Sequence, residues 1–227
     1  MGNVRILHVS DIHNNLRAAR FAMKFALTSG CDVVVDTGDL SGIGGWWERF
    51  FLLLVPEPAC PLVFAPGNHD GRVTIEAMRR RGANVLDDSG VVEVAGLKFW
   101  GYRDPNRTKL FGKPYDNSAC EHAATENPVP EGVDVVAVHN RKMVRDAGPN
   151  TVLVLSGHLH KTVVDQTHSP AWVTAGAAGE GGPLGRVFEA VLIDLVDRVI
   201  SEATVIRLNL DEARAQLPPY GPQHPTS

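Results

Sequence analysis

Five short apolar segments of this chain each end directly in polar residues of the types that bind metal ions. The segments have the composition of β-strands and span residues 4–9, 32–36, 62–65, 134–138 and 151–156. The sequences that follow or close them contain SDIH, TGD, PGNHD, HN and GHLH, in that order. In an open α/β sheet, the carboxyl ends of the strands carry the ligand site, because side chains are released there into a crevice. We therefore expect the five polar clusters to converge on one rim.

The first half of the chain alternates between helix and strand. Residues 16–29 carry apolar side chains at helical spacing between two strand segments, which predicts a parallel βαβ unit. Further helices are predicted over 46–55 and 74–81. After residue 90 the pattern becomes strand-rich and begins with a hairpin that turns at Ala95-Gly96. An α/β fold in which a two-sheet β-sandwich is flanked by helices accounts for this pattern.

The length of 227 residues fits a single domain, which we place at residues 1–210. Residues 103–132 show little periodicity and several turn formers, so we expect an insert or lid there. The basic residues of its first part would either meet a phosphate-bearing substrate or lie on a solvated loop. They are Arg103, Arg107, Lys109 and Lys113. Residues 217–227 are rich in proline and polar residues, which predicts disorder.

The composition argues against several classes of partner. A net charge of -4 gives no reason to bind a long polyanion, so we expect no stable nucleic-acid binding. The three cysteines, Cys31, Cys60 and Cys120, match neither a zinc site nor a disulfide framework and are expected to be reduced. The most apolar stretch, residues 46–55, is too short to span a membrane, and a strand begins almost at the first residue. We expect a cytoplasmic protein with no membrane partner, and the sequence does not indicate its oligomeric state.

Taken together, the five clusters resemble the pattern of the calcineurin-like metallophosphoesterases. That pattern reads DxH, GD, GNHD or GNHE, H and GHxH, and all five motifs stand here in order. They extend from Asp11 to His160, about two thirds of the chain. The resemblance implies the four-layer αββα fold of that family and a site for two divalent metal ions.

The resemblance also implies which residues bind each ion. One ion would be held by Asp11, His13, Asp39 and His160, and the other by Asp39, Asn68, His139 and His158, with Asp39 as the bridge. In the DxH and HxH motifs the polar residues lie two apart, so in an extended backbone both side chains leave on the same side. Oxygen and nitrogen donors without thiolate accept manganese, iron, zinc or nickel. The resemblance favours manganese.

Two adjacent ions can activate a bridging water as hydroxide and offset the charge of a phosphate ester. His69 is the candidate for protonating the leaving oxygen, because the pKa of histidine lies near neutral pH. Asp70 would orient His69. The alternatives are a structural role for His69 and a helix N-cap role for Asp70.

These inferences indicate a metal-dependent phosphoesterase that uses a metal-bridged hydroxide on a small phosphodiester such as a nucleotide. A phosphomonoesterase or phosphoprotein phosphatase, a nuclease, and a non-catalytic scaffold with the same fold are the alternatives. The chain departs from the family pattern in a glycine-rich loop before Trp46 and Trp47, where many family members carry a charged or amide residue. This departure leaves the identity of the substrate open. The two tryptophans would either form a wall for an aromatic leaving group or belong to the core, and we favour the core.

Overall fold

The computed structural model describes residues 2–43, 45–107 and 114–216. The strands, in chain order, are β1 (Asn3–Val9), β2 (Val33–Asp36), β3 (Leu62–Phe64), β4 (Asn84–Val85), β5 (Val91–Val94), β6 (Leu97–Trp100), β7 (Val135–Ala137), β8 (Leu153–Ser156), β9 (Val163–Asp165), β10 (Ala171–Thr174), β11 (Val187–Val196) and β12 (Val199–Asn209). The α-helices are α1 (Leu16–Thr28), α2 (Glu48–Leu54), α3 (Arg72–Arg80), α4 (Asn117–Glu126) and α5 (Leu210–Gln216). Short 3-10 turns occupy Arg141–Met143 and Gly182–Leu184.

The strands form two six-stranded sheets, which confirms the predicted sandwich. The first sheet has the order β12-β11-β1-β2-β3-β4, and the second has the order β5-β6-β7-β8-β10-β9. Strands β1 to β4 run parallel, as do β6, β7, β8 and β10, whereas β5, β9, β11 and β12 pair antiparallel with their neighbours. Parallel strands end at the same edge of a sheet, so this topology brings the polar clusters together.

Alternating side chains of each sheet supply two different cores. In β1, Ile6 packs into the layer between the sheets, where it meets residues of the second sheet such as Phe99 and Leu155. Its neighbour Leu7 faces the opposite way, onto the side covered by α1 and α3. A third cluster, around Trp100 and Met143, covers the outer face of the second sheet. The result is the expected order of helix, sheet, sheet and helix.

The structure differs from the sequence prediction in the 103–132 segment, where we expected little regular structure. The segment contains α4, whose side chains at Cys120, Ala123 and Ala124 are buried. These small residues give α4 a weak amphipathic pattern, which explains why its helical period was missed. Residues 108–113, which include Lys109 and Lys113, and the predicted disordered tail at 217–227 lie outside the described residues.

The expectation that Trp46 and Trp47 belong to the core is wrong. Their exposed fractions are 62% and 47%. Both precede α2, whose buried residues include Leu52. The three cysteines are free, as predicted. No helix in the described part of the chain is both long and apolar enough to cross a membrane.

Candidate metal centre

The polar clusters lie together on one rim of the sandwich. Each follows the carboxyl end of a parallel strand: β1, β2 and β3 in the first sheet, and β7 and β8 in the second. The residues predicted to bind metal differ in exposure. Four of them are buried: Asp11, Asp39, Asn68 and His139. His13 and His158 are partly exposed, and His160 is exposed. The rim is thus deep around Asp11, Asp39 and His139 and open to solvent at His160.

Three groups of these side chains have ligand atoms within 4.8 Å of one another. They are Asp11 with His13 and His160, then His13 with Asp39 and His69, and then Asp39 with His139 and His158. Asp39 takes part in two groups. It therefore occupies the position between the outer groups that a bridging ligand requires.

In the first group, the Nε2 atoms of His13 and His160 lie 3.2 Å apart. The Nε2 atom of His160 also lies 3.1 Å from Oδ1 of Asp11. Among the described groups, no donor hydrogen-bonds to this buried carboxylate oxygen. Two imidazole nitrogens and an unsatisfied carboxylate oxygen thus face the same point. A cation bound there would satisfy all three atoms.

The second group repeats this arrangement on the other side of Asp39. Nε2 of His139 lies 3.2 Å from Oδ2 of Asp39 and 3.3 Å from Nδ1 of His158. Nδ1 of His139 lies 2.8 Å from the carbonyl oxygen of Thr37. A carbonyl only accepts, so Nδ1 carries a proton and Nε2 is the nitrogen that faces Asp39. Nε2 is therefore the atom through which His139 would bind a metal ion.

The electrostatics of the rim favour positive charge. Burial works to lower the pKa of His139, but the facing Asp39 carboxylate outweighs it and holds the pKa well above its ordinary value. Burial likewise works to raise the pKa of Asp11, but the contacts with His13 and His160 outweigh it and lower that pKa. Without another cation, the carboxylates favour the protonated forms of His13 and His139. A divalent ion would supply the same charge, so the residues fit a metal.

The expectation of an extended backbone in the DxH and HxH motifs is wrong. Asp11, His13, His158 and His160 have φ angles of 55°, 47°, 69° and 52°, and Asp39 has 55°. These angles lie in the left-handed region, which non-glycine residues seldom adopt and which concentrates at functional sites. The side chains share a direction because the loops turn sharply.

Hydrogen bonds between the loops hold this backbone in place. The amides of Asp11 and His13 donate to the carbonyls of Gly38 and Asp39, at 2.8 and 2.9 Å. The loops approach so closely that a Cβ atom on Gly67 would lie 2.2 Å from Oδ1 of Asp39. Glycine is therefore required at position 67.

The model of the family described as calcineurin-like phosphoesterase matches residues 4–170. The chain belongs to the calcineurin-like phosphoesterase family. Membership confirms the resemblance seen in the motifs and supports a phosphoesterase activity. The family is metal-dependent, in accord with the Asp and His groups on the rim. The assignment of individual ligands to individual ions remains a prediction.

Solved structures share the fold of this calcineurin-like phosphoesterase. A structure described as a novel archaeal phosphodiesterase is 18% identical with a TM-score of 0.55, and the match covers 90% of this chain and 100% of that one. The protein TT1561 of Thermus thermophilus is 16% identical with a TM-score of 0.62, covering 91% and 99% of the two chains. No curated protein matches the sequence significantly.

His69 of this calcineurin-like phosphoesterase lies at the entrance of the metal centre. Its Nε2 atom is 3.8 Å from Oδ2 of Asp39, and its side chain is 25% exposed. Its ring meets that of His13 edge-on, with the centroids 5.1 Å apart. Its Nδ1 atom contacts the carbonyl oxygen of Gly42. This contact places the proton on Nδ1 and leaves Nε2 directed toward the centre.

Asp70 was predicted to orient His69 or to cap α3. The N-cap of α3 is Gly71, and the hydrogen bonds that the described residues make to the Asp70 carboxylate do not include one from the His69 ring. The Asp70 carboxylate instead accepts from the backbone amides of Asp39, Gly67 and Ser41, at 2.7, 2.9 and 3.0 Å. Burial, reinforced by the charge of Asp39, raises the pKa of Asp70 to about 6. Asp70 thus ties together the loops that carry the ligands.

Two residues that the sequence analysis did not assign to the site also support it. Buried Glu48 accepts from the amides of Gly42 and Ile43 and from the side chain of Asn14, at 2.8, 2.9 and 2.8 Å. The position of Glu48 inside an apolar run of the sequence could have identified it, because a buried carboxylate needs hydrogen-bond donors around it. Tyr115 stacks on His158, and no motif identifies it.

Proposed function

We propose that this protein is a divalent-metal-dependent phosphoesterase that hydrolyses small phosphodiesters. The proposal depends on one observation above all. The carboxylate of Asp39 lies between two groups of nitrogen and oxygen donors that face inward at 3.1 to 3.3 Å. This spacing suits two ions that share one carboxylate.

One ion would be held by Asp11, His13, Asp39 and His160, and the other by Asp39, Asn68, His139 and His158. When bound, such ions lower the pKa of a water molecule and offset the charge of a phosphate. Manganese is our first choice, and iron, zinc and nickel suit the same donors.

The remaining chemistry falls to the chain's own residues. His69 presents Nε2 at the entrance of the centre, where it can give a proton to the leaving oxygen or hydrogen-bond a phosphate oxygen. Asp70 acts as a positioning residue, because its carboxylate holds the amide of Asp39. No serine or cysteine nucleophile is needed.

A diester is favoured over a monoester by the small size of the chain and its single insert. It also agrees with the activity named for the archaeal phosphodiesterase, which has a similar fold. A phosphomonoesterase or a phosphoprotein phosphatase is the nearest alternative. We propose one domain at 1–210 and a cytoplasmic location, with no stable binding to nucleic acid.

The test uses protein stripped with a chelator and reloaded with Mn²⁺. We expect hydrolysis of bis(4-nitrophenyl) phosphate to exceed that of 4-nitrophenyl phosphate and to need the metal. Asp39→Asn should abolish turnover and lower the bound metal, measured by elemental analysis. Asp165→Asn, which alters a partly exposed carboxylate at the end of β9, is the matched control. A protein that binds no metal and hydrolyses neither ester would support the scaffold alternative.

A further inference from the structure

A cleft of about 580 Å³ opens beside the metal centre. Its lining includes His158, which is also a member of the second ligand group. The other walls come from the start of α4 at Asn117, the turn Arg141–Met143, Arg145 and Trp172. The volume lies within the range of small-molecule sites. A phosphate bound at the centre would therefore carry the rest of its molecule directly into this cleft.

Arg141 is held on one wall of the cleft. Its guanidinium carbon lies 5.0 Å from the centroid of the Trp172 ring, in a cation–π arrangement. Stacking engages the face of the guanidinium and leaves its N–H edges available for an anion. In the part of the chain that the structure describes, these edges are paired with no carboxylate. Arg141 is thus ordered without being neutralised.

The charge of the cleft is positive. Arg145 also lines it and likewise makes no ion pair with any described carboxylate. Lys142 differs, because its ammonium group lies 2.9 Å from Glu121 and is neutralised by it. Two arginines therefore remain to receive negative charge. An arginine guanidinium suits the tetrahedral oxygens of a phosphate, because it can donate to two of them at once.

We infer that Arg141 and Arg145 form a subsite for a second phosphate group of the substrate. The inference rests on the proposed function and extends it. The preferred substrate is a small phosphodiester, of the size of a nucleotide, that carries another phosphate besides the ester that is cleaved. Trp172 is a positioning residue that holds Arg141. The exposed side chain of Leu159 at the same cleft offers an apolar contact for the part of the molecule between the two phosphates.

The test compares two substrates with the same leaving group, the 5′-(4-nitrophenyl phosphate) of thymidine and the same compound with a 3′-phosphate. In the Mn²⁺-loaded wild-type protein, the second phosphate should raise kcat/KM by about tenfold, the size expected of charge-assisted hydrogen bonds. In the Arg141→Gln, Arg145→Gln double variant the ratio should fall to near one. Arg80→Gln, an exposed arginine on α3 outside the cleft, should keep the wild-type ratio.

Binding separates the two proposals. Calorimetry with thymidine 3′,5′-bisphosphate and thymidine 5′-monophosphate, with and without Mn²⁺, should show a preference for the bisphosphate that the double variant loses. If the protein hydrolyses neither ester but retains this arginine-dependent preference, the proposed function fails and the subsite stands. If it hydrolyses diesters without preference for the second phosphate, or if the double variant keeps the preference, the subsite is overturned.

Discussion

The phenol ring of Tyr115 lies on the imidazole of His158, with centroids 4.1 Å apart and planes inclined by 29°. The hydroxyl donates to Asp104 at 2.6 Å and accepts from the side-chain amide of Asn140 at 2.9 Å. A segment that the sequence marked only as an insert therefore supports one of the candidate ligands. Residues that orient a ligand commonly affect metal affinity as well.

We expect Tyr115→Ala to weaken metal binding by about 10- to 100-fold, because His158 loses the ring that fixes its orientation. Tyr115→Phe keeps the stack and should retain metal affinity, but it removes one hydrogen bond from each of the buried residues Asp104 and Asn140. The Phe variant should therefore be less stable by about 1–3 kcal/mol. Metal titration and denaturant unfolding of both variants test this. Equal metal affinity in the Ala variant and the wild type would show that stacking has no role.

His69→Asn should lower kcat for the diester by about 10²- to 10⁴-fold, the usual contribution of a general acid or base. Both candidate ions should remain bound, because His69 lies at the entrance and the two proposed ligand sets are complete without it. Steady-state kinetics and elemental analysis on the same samples separate the two effects. Loss of metal in this variant would instead make His69 a ligand, in accord with its place near His13 and Asp39.

Glu48→Ala should destabilise the protein by about 1–3 kcal/mol, because the amides of Gly42 and Ile43 lose a buried charged acceptor. The carbonyl of Gly42 contacts His69, so kcat should fall as well. Unfolding by urea and the diester assay measure the two effects. Glu57→Ala is the control, because Glu57 is an exposed glutamate in the same region. A stable variant with unchanged kcat would contradict the proposed role of the loop.

Asp36 should make stability depend on pH in the metal-free protein. Its burial, together with the charges of Asp70 and Asp11, raises its pKa well above the ordinary value. A folded-state pKa above the unfolded one contributes stability below about pH 4, which is lost as pH rises through the folded pKa. Asp36→Asn removes this loss and can still accept from the amide of Gly38. Its Tm should exceed that of the wild type at pH 8, and the difference should shrink toward pH 4. A difference that is constant with pH would rule out Asp36 as the cause.

The sequence predicted the two sheets and the position of the rim because strand composition and polar motifs are local signals. The exposure of Trp46 and Trp47 was predicted wrongly, because an apolar run does not reveal which of its faces a helix buries. The left-handed backbone at His158 and Asp11 depends on bonds between loops far apart in the sequence, including the one from the His158 amide to the Asp11 carboxylate at 3.0 Å. Likewise, nothing local to Tyr115 indicates that it meets His158.

The left-handed backbone on the rim lowers the stability of the protein at the residues that the proposed activity needs. Each non-glycine residue in this conformation costs about 1 kcal/mol relative to glycine. Replacing Asp11 or Asp39 with glycine relieves this backbone cost while removing a candidate ligand. A laboratory selection for heat resistance alone would therefore erode this centre first, and only a selection that demands turnover would retain it.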